Sequence, residues 1–321
     1  MSLKKPFLLN NACTLEQDIN NNCASKSQEK RFFLLNSSID EKDYNFKFFF
    51  SIPLQKAFVK INIFCKAMVY KFMSPISLEP ELVLLSESPF DTPDANRALE
   101  DPEGLCAIGG DLSSERLIHL YQHGFFPWYS DPDPILWWHP AQRCTLIPGD
   151  FHTSRSLNKA LKKQAWLVTC NQAFEQVICH CAQLREQKEG TWISSDIQNA
   201  YTKLHSLGYA HSIEVWLDQQ LVGGFYGVAM GDVFFGESMF SLVPNASKIA
   251  LKTLCELANQ SNIKLIDCQV ESEHMLSLGA KLMPRTKFIG ELAAHIPTSN
   301  KNTRLADIAK KNDDLMILVS N

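Results

Sequence analysis

The chain has 321 residues, 45% hydrophobic and 21% charged, an ordinary globular balance with enough apolar content for a sizeable core and about two domains. The net charge of -4 gives no global sign of a nucleic-acid partner, but it averages two unlike segments: residues 1–72 carry eleven Lys/Arg against six Asp/Glu, and the remainder twenty against twenty-nine. No stretch reaches the roughly 18 uncharged apolar residues of a membrane span, since Lys56, Lys60, Lys66 and Lys71 interrupt the best candidate, Phe48–Phe72.

All 14 glycines lie at or after Gly104, and half of the 20 phenylalanines lie in residues 1–72. That first segment shows no sustained helical or strand period, and it reads either as an upstream extension, disordered or translated from the wrong start codon, with Met68 and Met73 just before the composition changes, or as a basic, aromatic arm for a membrane surface or nucleic acid. Its apolar run Pro6–Leu9 is too short for a signal peptide. The ten cysteines contain no Cys-x-x-Cys pair, and Cys179 and Cys181 are two apart in a helical stretch, so they face away from each other. They read as reduced thiols of a cytosolic protein, with no metal.

Residues 73–142 form a small, turn-rich and aromatic unit. Five prolines from Pro75 to Pro102 punctuate its entry. Ser113 or Ser114 caps a predicted helix over Glu115–His123, with Gly124 at its C-terminal stop. A short strand follows at Ile135–Trp138. From Arg143 the elements lengthen: helix Ser154–Lys163, strand Leu167–Cys170, a helix capped by Asn171 and running to Arg185, and helix Ser194–Leu207 ended by Gly208. A meander of three strands comes next, His211–Leu217, Leu221–Ala229 and Val233–Ser238. Asn245 caps a helix to Ser261, Lys264–Val270 is an apolar strand, and Glu271–Leu278 is a short helix. Residues 298–321 read as a polar tail. Mixed strands and helices with a central antiparallel run argue for an α+β fold.

Three groups of residues carry chemical meaning. Arg155, Lys159, Lys162 and Lys163 stand at i, i+4, i+7 and i+8, on one side of a helix with no acidic neighbour in the element. A phosphate backbone suits such a stripe, as does a solvated basic face. The aromatic residues Trp128, Trp137, Trp138, Trp192, Tyr121 and Tyr201 lie in or near turn-rich segments, where rings can stack nucleobases or fill the core. Alternation along a strand sends Trp137 and Trp138 to opposite faces, so at least one belongs to the core. Finally, Asp267 and Gln269 are two apart on an apolar strand and are expected on one face of the sheet, while Glu237 ends another strand. Buried carboxylates are costly unless hydrogen-bonded, so these three mark either a satisfied polar network or a site.

The motifs around these residues include Gly104–Leu112, Gly124–Tyr129, Ile135–Trp138, His152–Ser156, Glu189–Ile193, His211–Trp216, Gly236–Ser241, Asn245–Lys248 and Leu265–Gln269. In that order and spacing, from about Met73 to about Pro297, the chain resembles the leucyl/phenylalanyl-tRNA–protein transferases. The resemblance implies a cytoplasmic, monomeric enzyme of the bacterial N-end rule pathway. Such an enzyme takes Leu, Phe or less often Met from aminoacyl-tRNA and joins it to the N-terminal Arg or Lys of a protein. The implied fold is a small N-terminal α/β domain, 73–142, packed on a C-terminal domain of acetyltransferase-like (GNAT) architecture, 143–297. No cofactor and no membrane is implied, because the activated ester carries the energy.

The resemblance also implies roles. Arg155, Lys159, Lys162 and Lys163 match the basic cluster that holds the acceptor stem. Trp128 and Trp192 match positions around the terminal adenosine, with Tyr121 and Tyr201 nearby. Phe225, Glu237 and Leu251 match the pocket for the amino-acid side chain; Leu254 stands where some relatives carry an aromatic. Asp267 and Gln269 match the pair that handles the attacking amine, Gln269 accepting a hydrogen bond from it and Asp267 orienting Gln269. Two rivals are weighed by their features. An acetyl-CoA-dependent acyltransferase needs a glycine-rich loop for pyrophosphate, and here the helix opens with Val243-Pro244-Asn245-Ala246-Ser247. A non-catalytic RNA-binding module explains the basic helix and the aromatics but not Glu237, Asp267 and Gln269.

Overall fold

The structure is a computed structural model that describes residues 81–187, 191–261, 263–297 and 317–319. These fall in one compact unit. The extension read at residues 1–72 lies outside the described residues, and so does the tail apart from its strand residues 317–319.

Two sheets organise the chain. The smaller has strand order β1-β2-β4-β3, from β1 (Val83–Leu85), β2 (Leu105–Gly109), β3 (Phe126–Pro127) and β4 (Leu136–Trp138). β1 and β2 run parallel and the other pairs antiparallel. Helix α1 (Ser114–Gln122) links β2 to β3. Ser113 caps it by accepting the Arg116 N–H, and Gly124 beyond its end takes φ +83, a conformation that favours glycine. Trp137 is fully buried and Trp138 half-buried, as their alternation requires.

The larger sheet has eight strands in the order β11-β5-β10-β9-β8-β7-β6-β12. Its centre is the antiparallel meander β7 (Ala210–Leu217), β8 (Gln220–Met230) and β9 (Val233–Ser241). Helix α5 (Ala246–Ser261) then crosses over to β10 (Leu265–Gln269), which pairs parallel with β9. β5 (Gln142–Leu146) pairs antiparallel with β10 on one side and with β11 (Lys281–Pro284) on the other. β6 (Trp166–Cys170) adds to β7, and β12 (Ile317–Val319) adds to β6. Three residues of the expected polar tail therefore sit in the sheet.

Helices cover both faces of the meander. α3 (Phe174–Glu186) and α4 (Ser195–Ser206) bring Phe174, Val177, Ile178, Ile197 and Tyr201 into a first core with Tyr226, Val228 and Phe235. α5 and α2 (Arg155–Lys163) build a second core with Phe225, Phe234, Ile213 and Val215. Successive residues of one strand thus feed different cores: Phe225 and Tyr226, Phe234 and Phe235. At Gly223 in β8, an added Cβ would stand 2.4 Å from the Cβ of Ala246, so only glycine lets the start of α5 lie this close. The strands β5 and β11 and the helix α7 (Arg285–His295) were not expected from the sequence; α6 (Glu273–Ser277) completes the element order, with Ser272 as its cap.

One expected cap is replaced, and a second is joined by a serine. Asn171 does not cap α3. It sits at φ +61, and its Oδ1 accepts the Ser212 N–H at 3.0 Å, which ties the loop to β7. The buried Glu214 carboxylate instead accepts the N–H groups of Gln172 and Ala173 just before α3, each at 3.4 Å. At α5, Asn245 is at φ +74 and the Ser247 N–H goes to Ser241 Oγ at 3.3 Å. Six of the described cysteines are free thiols. Among the described residues no helix is long and apolar enough to cross a membrane.

Candidate active site

The ends of β9 and β10 carry the polar residues that the sequence marked. β10 does not continue as a regular strand to Gln269. Asp267 lies opposite Thr145, but Gln269 lies opposite Cys144, so the register slips between them and Cys268 is the extra residue of a bulge. Plain alternation, which placed Asp267 and Gln269 on one face, does not hold across this bulge. Gln269 adopts φ +62, an uncommon conformation for a residue with a Cβ. Its N–H donates to Asp267 Oδ1 at 2.9 Å, which closes the bulge.

Asp267 is fully buried and forms an ion pair with Arg143 of β5, also fully buried. Arg143 Nε donates to Oδ1 at 2.8 Å and Nη2 to Oδ2 at 2.7 Å. Such a two-point fork fixes geometry as well as charge. Losing either partner would strand a buried charge, at a cost of about 3–5 kcal/mol. The guanidinium also lies between two rings, 4.7 Å from the Phe126 centroid and 4.6 Å from that of Phe288. Sequence reasoning missed Arg143. An arginine inside a strand-like run was visible, but its partner lies 124 residues away.

The Gln269 side chain belongs to a second set of bonds. Its Nε2 donates to Glu237 Oε1 at 2.9 Å. The buried Glu237 carboxylate also accepts the Tyr121 hydroxyl at 2.7 Å and the Tyr201 hydroxyl at 3.1 Å. The two tyrosine hydroxyls also touch each other, and since each carries one proton, all three contacts can be filled only when the Glu237 carboxyl is itself protonated. Burial raises the Glu237 carboxyl to about 7, against the opposing pull of the Tyr121, Tyr201 and Gln269 hydrogen bonds. Burial, with the Glu237 charge next, likewise holds both tyrosine hydroxyls well above their usual range, so they remain donors.

One connected network therefore joins β5, β10, β9, α1 and α4 through Arg143, Asp267, Gln269, Glu237, Tyr121 and Tyr201. It brings together five of the expected site residues. Tyr121 and Tyr201 are fully buried, so what they present to the site is a hydroxyl and not an open stacking face. Phe225, Leu251 and Leu254 are buried in the second core, whereas the tyrosines that hold Glu237 belong to the first. Trp128 is 43% exposed; its carbonyl accepts Trp138 Nε1 at 2.7 Å, and the two rings lie 5.7 Å apart. Trp192 is half-buried against the first core.

Helix α2 keeps the pattern read from the sequence. Ser154 caps it by accepting the Leu157 N–H at 3.2 Å. Leu157 and Leu161, one turn apart, enter the second core and leave Arg155, Lys159, Lys162 and Lys163 exposed. Lys162 and Lys163 occupy the last turn, where the helix dipole favours cations. The helix is moored by Trp166 Nε1, which donates to the Ala160 carbonyl at 3.0 Å.

A polar network at a strand bulge, with an amide whose nitrogen is already engaged, suits the handling of a proton-bearing nucleophile; an exposed basic helix suits a polyanion. A transferase with a nucleic-acid substrate is one class that these features fit. The comparisons agree. The family model described as leucyl/phenylalanyl-tRNA protein transferase matches residues 145–293, and the model of the N-terminal domain of the same proteins matches residues 110–141. The chain is similar to the leucyl/phenylalanyl-tRNA–protein transferase of Pseudomonas fluorescens, 48% identical over 69% of this chain and 98% of the relative. The enzyme of the same name from Saccharophagus degradans is 52% identical over 65% of this chain and 86% of the relative. That from Ectopseudomonas mendocina is 47% identical over 70% of this chain and all of the relative. The chain belongs to the leucyl/phenylalanyl-tRNA–protein transferase family. A solved structure of a functionally unknown conserved protein from Staphylococcus epidermidis aligns at a TM-score of 0.33, 10% identity, over 44% of this chain and 57% of that one, too low to bear on the fold.

Proposed function

We propose that this enzyme transfers Leu or Phe, and less often Met, from aminoacyl-tRNA to the N-terminal Arg or Lys of a protein, which marks the product for degradation. The observation that carries the mechanism is the commitment of Gln269 Nε2 to Glu237. An amide has one donor end and one acceptor end. With the donor end engaged, Gln269 Oε1 is left to accept an N–H from the neutral α-amine and aim its lone pair at the ester carbonyl. The new C–N bond forms as the ester C–O bond breaks, and the amine's proton passes to the departing ribose oxygen. An amide oxygen is a poor base, so orientation of the amine supplies most of the rate. Asp267 works from behind, through the Gln269 N–H.

The remaining assignments follow the same reading. Arg155, Lys159, Lys162 and Lys163 hold the acceptor stem; their exposure on one face of α2 supports this. Trp128 and Trp192 flank the terminal adenosine, a role the exposed Trp128 ring suits. Phe225, Leu251 and Leu254 line the apolar pocket for the donor side chain, with Glu237 at its polar end. The run β7-β8-β9 followed by the parallel crossover β9–α5–β10 supports an acetyltransferase-like domain over 143–297 behind the small domain 73–142. The protein acts as a cytoplasmic monomer, since aminoacyl-tRNA is a cytoplasmic donor.

One assay tests the proposal: labelled Leu-tRNA is incubated with the enzyme and a peptide that begins with Lys or Arg. Label should enter the peptide, and a peptide blocked at its α-amine should receive none. Binding of the tRNA without transfer would indicate an RNA-binding protein instead.

A further inference from the structure

Arg143 makes no contact that the reaction itself requires, yet more of the fold converges on it than on Gln269. We propose that Arg143 is a positioning residue for aminoacyl transfer, acting through Asp267 on the backbone of Gln269. The inference rests on the reading of Gln269 as the acceptor of the amine's hydrogen bond.

Gln269 must be held at φ +62, a conformation that a residue with a Cβ does not keep unaided. Two bonds hold it. The side-chain amide is tied to Glu237, and the N–H is tied to Asp267 Oδ1. That second bond is only as well aimed as the Asp267 carboxylate. A carboxylate gripped at one point can turn about its Cβ–Cγ bond, and Oδ1 would swing off the Gln269 N–H. Arg143 removes this freedom, because Nε and Nη2 each take a different oxygen and Oδ1 is shared between Nε and the Gln269 N–H. The plane of the guanidinium is set in turn by Phe126 from β3 and Phe288 from α7. Orientation therefore runs from two distant elements, through one planar cation and one carboxylate, to the backbone of the residue that meets the amine. A pair needed only to neutralise charge would be served by lysine; a pair that transmits orientation needs the planar fork.

Arg143→Lys keeps the charge and removes the fork, and its single-turnover transfer rate and tRNA affinity should be measured with those of Gln269→Ala and the double variant. The expected result is a transfer rate at least tenfold lower for Arg143→Lys, with the tRNA Kd within twofold. In the Gln269→Ala background the same change should cost less than twofold further, because both act through one residue. Phe288→Leu opens one side of the ring stack while leaving the ion pair intact. It should give a smaller loss that Gln269→Ala likewise absorbs, and it carries the test if Arg143→Lys fails to fold. Losses that multiply in the double variants, or an Arg143→Lys enzyme that transfers at the parent rate, would overturn the inference alone. A Gln269→Ala enzyme with the parent rate would remove the reading of Gln269 and this inference with it.

Discussion

Helix α2 and the network around Glu237 handle charge in opposite ways. On α2, four cations stand in solvent on a short helix whose buried side is Leu157 and Leu161. Around Glu237, two carboxylates, an arginine and two tyrosines are buried and joined by hydrogen bonds from five different elements. Water screens the first group, so each cation acts nearly alone and its contribution fades with salt. Burial takes most of the screening water from the second, so each member's protonation and geometry depend on the others. The surface can gather a large polyanion without being built around it; the interior can hold one amide in one orientation only because everything beside it is fixed.

The largest effect that would sharpen this contrast belongs to the interior. Gln269→Ala should lower the transfer rate by about 100-fold, the size of loss that misplacing a reacting group causes, and leave tRNA affinity nearly unchanged. Single-turnover kinetics beside filter binding would show it, and an equal loss in both would mean that Gln269 binds substrate and does not serve the chemistry.

Next comes the titration of Glu237. Its carboxyl is raised from 4.5 to about 7 by burial. Between those values the folded chain keeps a proton that the unfolded chain has lost. The stability it lends is therefore complete at low pH and is lost as pH rises through 7. Glu237→Gln removes this slope. Relative to the parent, the variant should gain on the order of 3 kcal/mol as pH goes from 4.5 to 7, read from denaturant unfolding at a series of pH values. A pH-independent difference would mean that the carboxylate is ionised throughout.

The smallest change belongs to the surface. Lys162→Ala with Lys163→Ala should weaken tRNA binding about tenfold and lower the slope of log affinity against log salt by roughly one to two. The transfer rate at saturating tRNA should stay the same. An unchanged salt slope would show that these lysines do not meet phosphate, and a lower saturated rate would break the division between surface and interior.

The two regions also differ in how much of them the sequence disclosed. The α2 stripe was legible because it is local: a helical period, a serine cap and four cations need only 3.6 residues per turn. Tyr121, Tyr201, Glu237, Asp267 and Gln269 could be singled out by residue type and by family resemblance, but their connections could not. Alternation put Asp267 and Gln269 on one face, and the bulge at Cys268 changed how they meet. Asn171 looked like a helix cap by position, yet Glu214, 41 residues away from Ala173, took over the adjoining amides. Strands β5 and β11 escaped notice because their short runs become strands only through pairing with each other and with β10.

By itself, then, the sequence determined what rests on neighbours along the chain: the α+β succession, most helix ends, the basic face of α2 and the family to which the chain belongs. The tertiary structure alone decided what depends on residues far apart in sequence. It set Arg143 against Asp267, turned the Gln269 amide toward Glu237, and brought a tyrosine from each of α1 and α4 onto one carboxylate. The reason is physical. A period or a cap is fixed by bonds within one turn, whereas the partner of a buried charge is whichever group the fold brings to it once water has been excluded.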